Sequence, residues 1–398
     1  MAGFTAGTIS YWGLVKFFGN ASEKTNGIMT ISNSADWLTR TTTAISSATD
    51  ATNTPWSGSD GPTFPSQDTS GGATVANEWW SVWNYLKYGV GAVLVGATGS
   101  VINTQFGYTY SALHESPDKL SVLFSAGNTH SSDVVGNIAA NRGDVFAVIG
   151  ATGSIPTPYS TGTLTKLQEN FGVTFAGITG HKAGTNIIYV ANRKRFFMDW
   201  KNTGYAGRIG VMDTSSDVAG LIGRQVRADK NWNIPSGFNK GNIINSVGLL
   251  QTFTSTDQKL MQDYGINMIV SYPGKGHFFM GNSTGAGAGG GEYNGARSYM
   301  NVVSLINYIK TEINSVALEY LYEPNTEASR ATFKSRAETV LEAVERDGAI
   351  SDYSVYLDPS KNTGMTFSAS ISITPVAIAE AVTLEVVNNG ATVETFVI

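Results

Sequence analysis

The sequence predicts an α/β protein that passes, in its second half, into a region of α+β character ending in strands. Three observations carry this. Strand-like and helix-like segments alternate from residue 75 to residue 228, the pattern of βαβ units around a parallel sheet. Two long amphipathic helices follow between residues 302 and 347. From Thr366 to Ile398 apolar and small polar residues alternate with period two, broken by Asn388-Asn389-Gly390, a strong short hairpin signal.

The 398 residues suffice for two or three domains with substantial cores. Hydrophobic residues make up 41%, charged residues only 14%, and the net charge is −5, a balance that argues against a nucleic-acid binder and suits broad, weakly charged contacts with protein. Cysteine is absent, which excludes disulfides, thiolate catalysis and cysteine-ligated metals. The first basic residue is Lys16 and no long apolar run follows it, so no secretory signal is read. No stretch approaches the length of a membrane span, and the expectation is a protein made and folded in the cytoplasm.

Residues 1–20 are poor in charge and rich in Gly and aromatics, with Phe4, Tyr11, Trp12, Phe17 and Phe18, and read as an extended arm or first strand ended by Gly19. Thr39 to Gly72 is loop by composition. Val75 to Tyr88 has helical spacing, stopped by Gly89 and Gly91 before a buried strand at Ala92–Val95. Strands are expected at Lys119–Phe124, Asp144–Ile149 and Asn186–Val190, with helices at Asp133–Asn141 and Leu164–Phe171 between them. Ser216 is expected to cap a helix through Ala228, and Trp232 to Gly237 forms a turn.

A second region is expected from Asn242. Ile243, Ile244 and Val247 suggest a strand, Thr256 to Tyr264 a helix capped by Thr256 or Asp257, and Ile266–Val270 and His277–Met280 two further strands. Asn282 to Gly291 is a Gly-rich loop. Val302, Leu305, Ile306, Ile309, Ile313 and Val316 share one helical face. Asn325 or Thr326 opens the next helix, Phe333, Ala337, Val340, Leu341 and Val344 form its apolar stripe, and Gly348 ends it. Tyr353 to Leu357 begins the terminal strands.

An apolar strand ending in Phe396, Val397 and Ile398 needs cover. Burying Val393, Phe396, Val397 and Ile398 contributes roughly 1.5–3 kcal/mol apiece, as an upper bound. Either the segment joins the chain's own sheet or it is donated to a neighbouring copy, where main-chain pairing supplies affinity.

Several motifs could carry chemistry. Gly281-Asn-Ser283-Thr-Gly285 fits a nucleophile elbow, but poly-Gly follows it where a helix must begin. Gly285-x-Gly287-x-x-Gly290 fits dinucleotide spacing only as any Gly-rich run does. His114, His130, His181 and His277 share no metal-ligand spacing. Arg193-Lys194-Arg195 reads as a solvated strand end or an intersubunit ion pair rather than a nucleic-acid site. No active site assembles, and no cofactor or metal is expected.

Three segments carry a family resemblance. Ser215-Ser-Asp-Val-Ala-Gly-Leu-Ile-Gly-Arg-Gln-Val-Arg-Ala-Asp229 with Trp232-Asn-Ile-Pro235-Ser-Gly237 is the first. Asp263-Tyr-Gly-Ile-Asn-Met-Ile269 with Gly274-Lys-Gly276 and Gly281 is the second. Tyr322-Glu-Pro-Asn325, Asp347-Gly-Ala-Ile350, Tyr353 and the strand ending at Pro375 make the third. In order and spacing they resemble the sheath proteins of contractile phage tails and related injection machines.

The resemblance implies a structural, non-enzymatic subunit of a helical homo-oligomer, with stacked hexameric rings around a tail tube protein. Contraction of that polymer drives the tube through a cell envelope. Baseplate and tail terminator proteins are the further implied partners, with no nucleic acid and no membrane binding of its own. The address implied is the virion tail, assembled in the host cytoplasm. The alternatives kept open are the sheath of a bacterial contractile injection system and, from another class, a serine hydrolase using Ser283.

In domain terms the resemblance implies an N-terminal arm at 1–20, an outer α/β domain at 21–241, an inner sheet-and-helix domain at 242–380 and a C-terminal strand arm at 381–398. Leu384, Val386, Val393, Phe396, Val397 and Ile398 are the implied strand-exchange residues. Arg330, Lys334 and Arg336 are the implied tube-facing charges.

Overall fold

A computed structural model describes residues 12–17, 28–31, 81–89, 91–96, 120–124, 136, 139, 143, 145–151, 185–198, 208–228, 232–263, 265–285, 299–362, 367–376, 383–388 and 391–397. In the strands at 12–17, 28–31, 91–96, 383–388 and 391–397 the description is of the backbone. Two compact units divide the chain, residues 1–308 and residues 309–398. The expected helices at 133–141 and 164–171 lie wholly or mostly outside the described residues, as does the loop at 39–72.

The first unit is built on an eight-stranded sheet. Its strands are β1 (Trp12–Phe17), β2 (Ile28–Ile31), β3 (Gly91–Gly96), β4 (Leu120–Phe124), β5 (Phe146–Gly150) and β6 (Ile187–Val190), with two later strands of the same unit numbered below. A separate antiparallel set comprises β7 (Arg193–Met198), β8 (Arg208–Asp213) and the short β9 (Gly248–Leu249). The helices are α1 (Ser215–Ala228), α2 (Gly237–Lys240) and α3 (Ser255–Asp263), and β10 (Ile266–Tyr272) and β11 (Gly276–Met280) complete the large sheet. Its order is β11-β10-β6-β5-β4-β1-β3-β2. The six inner strands run parallel, and β2 and β11 pair antiparallel at the two margins.

This topology differs from the sequence reading in three places. The segment read as an extended arm or first strand contributes, at β1, a strand in the interior of the sheet between β4 and β3. Leu14, Val15 and Phe17 are the reason, because a strand flanked by parallel neighbours on both edges is written as an apolar run. The expected strand around Ile243 to Val247 reduces to one bridge, Asn242 to Phe278, plus β9. Asn245 adopts φ 49°, which breaks an extended run. The sheet also runs across position 241/242, since β10 pairs with β6 in parallel.

Apolar strand faces meet α1. Val122, Phe124, Phe146, Val148, Ile188 and Val190 are buried with Val218, Leu221 and Ile222 in one cluster. Gly220 lies so close to the Tyr88 ring that a Cβ would sit 2.5 Å from its Cδ2, so helix and aromatic approach only through glycine. Asp213, not Ser216, caps α1: its Oδ1 accepts the Ser215 amide at 2.8 Å. Ser216 Oγ instead accepts from Asn84 Nδ2 at 3.1 Å. On α3 the cap is Thr254, whose Oγ1 accepts the Asp257 amide at 3.2 Å while Asp257 Oδ2 accepts the Thr254 amide at 3.2 Å, a reciprocal capping box.

Arg193-Lys194-Arg195 is no solvated strand end at its centre. Lys194 and Asp217 side chains are both 0% exposed and meet at 2.7 Å. Alternation along β7 turns Lys194 inward while its neighbours Arg193 and Arg195 are only half-buried. Lys194 Nζ also donates to Asn84 Oδ1 at 2.9 Å and to the Ile244 carbonyl at 3.0 Å. Tyr88 Oη donates to Asp217 Oδ1 at 2.8 Å and accepts from the Ile244 amide at 3.2 Å. Burial pushes the Lys194 ammonium below its ordinary value against the opposing pull of Asp217, and burial followed by the Asp217 charge pushes the Tyr88 phenol well above its own.

The second unit contains the C-terminal part of α4 (Met300–Leu318), then α5 (Glu327–Arg346), β12 (Ile350–Tyr356), β13 (Ser370–Pro375), β14 (Thr383–Asn388) and β15 (Ala391–Val397). Thr326 caps α5 as expected, its side chain accepting the Ser329 amide at 3.1 Å. Phe333, Ala337, Leu341 and Val344 are the buried stripe of α5. Phe333 is the anchor, edge-on to Tyr320 at 5.6 Å and to Phe367 at 4.9 Å.

Two outcomes test this packing. Asp217→Ala leaves the Lys194 ammonium buried without its counter-ion and is expected to cost about 3–5 kcal/mol. Phe333→Ala is expected to cost about 3–5 kcal/mol through the cavity it opens. Urea titration followed by far-UV circular dichroism reads both, and a midpoint unchanged from that of the parent protein refutes either assignment.

Candidate functional site

Among the described residues, the strands of the C-terminal unit form two separate two-stranded ladders. β12 and β13 form a two-stranded antiparallel ladder, with Tyr353 opposite Ile373 and Tyr356 opposite Ser370. Along β13 exposed and half-buried residues alternate, so neither face of that strand is fully covered. Asn362, which sequence reasoning passed over, ties the intervening loop: its Nδ2 donates to the Asp358 and Ser368 carbonyls at 2.8 and 2.9 Å and its Oδ1 accepts the Ser368 amide at 2.7 Å. The signal available was the Asp-Pro-Ser turn at 358–360.

β14 and β15 form a second two-stranded antiparallel ladder, and the expected turn residues Asn389 and Gly390 lie outside the described residues. Leu384 pairs with Phe396 and Val386 with Glu394, and a register shift then brings Val387 opposite Thr392. Val393 is thus the extra residue of a bulge, a device that twists a strand margin. Among the described residues neither ladder has a third strand. Ile398 lies outside the described residues.

The three cations predicted to meet a partner on α5 already hold partners within the chain. Arg330 Nη1 donates to the Asn325 carbonyl at 3.1 Å and to Asn325 Oδ1 at 2.9 Å, which locks the helix entry. Lys334 lies 3.7 Å from Glu338 one turn on, and Arg336 pairs with Glu319 from the preceding helix region. Those two pairs are solvent-exposed and worth little to folding, so a partner can recruit the charges at small cost. Tyr353 on β12 lies near Glu342, Glu345 and Glu338, and desolvation with those carboxylates raises its phenol above the ordinary value.

The turn between α4 and α5 exposes apolar surface that sequence reasoning did not single out. Leu318 is 59% exposed, Leu321 55% and Tyr322 100%, and Tyr322 stands at φ 67°. A bulky residue in the left-handed region is costly, and such strain clusters at functional sites. The signal was the apolar sequence running on past the end of α4.

Ser283 lies after β11, but no hydrolase geometry surrounds it. Its Oγ donates to the Gln262 carbonyl at 3.4 Å, not to an imidazole. Its backbone is clamped by the buried Asn267, whose Oδ1 accepts the Ser283 amide at 3.0 Å and whose Nδ2 donates to the Ser283 carbonyl at 2.7 Å. Gly281, at φ 153°, passes so close to Asn267 that only glycine fits, which gives a structural reason for the Gly-x-Ser-x-Gly match. His277 lies on β11, and His114, His130 and His181 fall outside the described residues. Among the described residues no three His, Cys, Asp or Glu side chains cluster to hold a metal, and no helix is long and apolar enough to cross a membrane.

Comparison with known proteins bears on this geometry. Residues 294–388 match the phage tail sheath C-terminal domain. The tail sheath protein of Vibrio phage KVP40 is 29% identical over 188 residues, 46% of this chain and 27% of that protein. The tail sheath protein of Enterobacteria phage T4 is 27% identical over 179 residues, 44% of this chain and 26% of that protein. The chain thus spans about a quarter of the length of the relatives it matches. The fold is similar to that of the anti-feeding prophage helical sheath in its contracted state, with a TM-score of 0.66, 14% identity and coverage of 98% of this chain and 96% of the other. It is also similar to the contracted sheath of the extracellular contractile injection system PVC, with a TM-score of 0.61, 14% identity and the same coverage. Residues 294–388 thus match the phage tail sheath C-terminal domain, in a chain whose fold is similar to that of the contractile sheath subunits.

Proposed function

We infer that this chain is a structural subunit of a contractile tail sheath, polymerising as a helix around a tail tube and contracting to drive the tube through a cell envelope. The observation that carries the reading is end-to-end likeness to a sheath subunit, 98% of this chain on 96% of the other, joined to the C-terminal sheath-domain match. A subunit of this kind needs heterologous contacts that do not close on themselves, because only those propagate into a helix.

The C-terminal ladders supply a physical route to such contacts. A two-stranded ladder is marginal in water, and each of its outer edges offers unpaired backbone groups. In this reading 381–398 is a strand-exchanging arm, with Leu384, Val386, Val393, Phe396, Val397 and Ile398 setting register against a neighbouring copy. The N-terminal segment 1–20 plays the companion role through the residues before β1. Arg330, Lys334 and Arg336 form the charged face of α5 toward the tube protein, and baseplate and terminator proteins bind the two ends of the polymer. The subunit has no catalytic role.

The same architecture serves a bacterial injection device, a reading favoured by the likeness to the anti-feeding prophage and PVC sheaths. Assembly in the host cytoplasm and residence in a virion tail belong to the phage form of the proposal.

Deleting residues 391–398 is expected to leave a folded subunit that no longer forms sheaths, read by circular dichroism and negative-stain electron microscopy. Long striated cylinders from the truncated protein would show that β15 is not the donated strand. Arg336→Glu with Lys334→Glu is expected to spare free sheath polymers but abolish co-assembly with tube, read by co-sedimentation; unchanged co-sedimentation moves the tube contact off α5.

A further inference from the structure

The buried polar cluster of the first unit places an amine, a carboxamide and a carboxyl in one dry pocket. Lys194, Asn84, Asp217 and Ser216 are each 0–1% exposed. Val82, Trp83, Tyr85, Phe196 and Val218 belong to the same core. Lys194 Nζ is 2.9 Å from Asn84 Oδ1 and 2.7 Å from Asp217 Oδ1. The other end of the carboxamide is held too, with Asn84 Nδ2 donating to Ser216 Oγ at 3.1 Å. Asp217 Oδ2 is buried with no hydrogen-bond partner.

We propose that Lys194 and Asn84 join in an intramolecular isopeptide bond, formed without an external enzyme and with Asp217 as proton shuttle. The three groups are of the types the reaction needs and are in direct contact: a nucleophilic nitrogen hydrogen-bonded to the oxygen of the carboxamide it would attack, and an acid–base group hydrogen-bonded to that nitrogen.

The step balances without any co-reactant. The Lys194 ammonium passes one proton to Asp217, which in a water-free core exchanges a poorly solvated ion pair for a neutral amine and a neutral acid. The amine lone pair adds to Asn84 Cγ, forming the C–N bond while the carbonyl π pair moves onto Oδ1. A second proton passes from Nζ to Nδ2 through the Asp217 carboxyl. The Cγ–Nδ2 bond breaks as the carbonyl re-forms, ammonia leaves, and Asp217 gives up its proton to it. One secondary amide and one ammonium ion result, and nothing is oxidised or reduced.

The link would tie the helical turn at 81–86 to β7 across a separation of 110 residues. It closes a covalent loop around β3, β4, β5 and β6, the middle of the large sheet. Such a cross-link limits how far the unit extends when pulled, a benefit that stands whether or not the chain works in a sheath.

Intact-mass spectrometry of the purified full-length protein, incubated overnight in native buffer, tests this directly. The expected result is a mass one ammonia below that of the sequence, with trypsin then releasing a branched peptide that joins the Asn84 and Lys194 segments. Asn84→Ala and Lys194→Arg are expected to restore the full sequence mass, and Asp217→Asn to slow cross-linking at least tenfold in a protein whose circular dichroism remains folded. Recovery of unlinked Asn84 and Lys194 peptides from folded parent protein overturns the proposal. So does ammonia loss that maps to a single unbranched peptide, because that is ring closure at one asparagine.

Discussion

The contact of Lys194 with Asp217, both fully buried and 2.7 Å apart, is the constraint around which the described part of the first unit is arranged. Around it converge three separate stretches, the segment 81–89 through Asn84 and the Tyr88 phenol, β7 and the first turn of α1, with the Ile244 backbone as a fourth partner. An isolated charge in that position would cost several kcal/mol, so the pocket exists only while all of these partners are in register. The pair therefore acts as a specification of geometry. α1 cannot rotate on the sheet without separating Asp217 from Lys194, and Gly220, pressed against Tyr88, fixes the same helix from its next turn. Burial of the ions is thus coupled to the apolar contacts of α1 with β4 and β5.

The two units handle strand margins in opposite ways. In the large sheet the parallel interior is bounded at one side by β11, and the outer face of β11 is itself covered: the Phe279 amide donates to the Gly241 carbonyl at 2.7 Å and the Ile243 amide to the His277 carbonyl at 2.9 Å. That margin offers little to another chain. The ladders β12–β13 and β14–β15 have no such cover among the described residues, and the first shows alternating exposure rather than a buried face. Among the described residues, the last fifty thus offer several open strand edges for backbone pairing.

How much of this was legible in the sequence follows from the kind of signal each element carries. α5 was readable almost to the residue, because its stripe, its Thr326 cap and its Gly348 stop are local and agree with one another. The antiparallel pairing of β14 with β15 was readable from local pattern too. β7 and β8 were missed because Arg193-Lys194-Arg195 looks like surface, and only its distant partner Asp217 makes Lys194 an interior residue. β1 was read as an arm or first strand, and its interior place in the sheet depends on β3 and β4, far along the chain. Of the residues proposed for assembly, the positions on β14, β15 and α5 were visible as pattern, whereas the exposed Leu318-Leu321-Tyr322 surface was hidden by its continuity with a buried helix. Sequence periodicity reports which face is apolar and is silent about where that face stops being covered.

That silence explains why the conformation of Tyr322 adds something the pattern lacks. A helix that ends in ordinary solvent closes with glycine or asparagine in the left-handed region, as α5 does with Gly348 at φ 78°. The turn after α4 instead places a fully exposed tyrosine there, next to Glu323 and Pro324. Pro324 restricts the residue before it to extended conformations, so the reversal of chain direction has to be made at Tyr322 or earlier. The strain is retained although glycine would relieve it, and the side chain gains no burial in its own subunit in exchange. A ring that is costly to hold and unburied at home fits the subunit contacts proposed above, a reading that the open ladders support from the backbone alone.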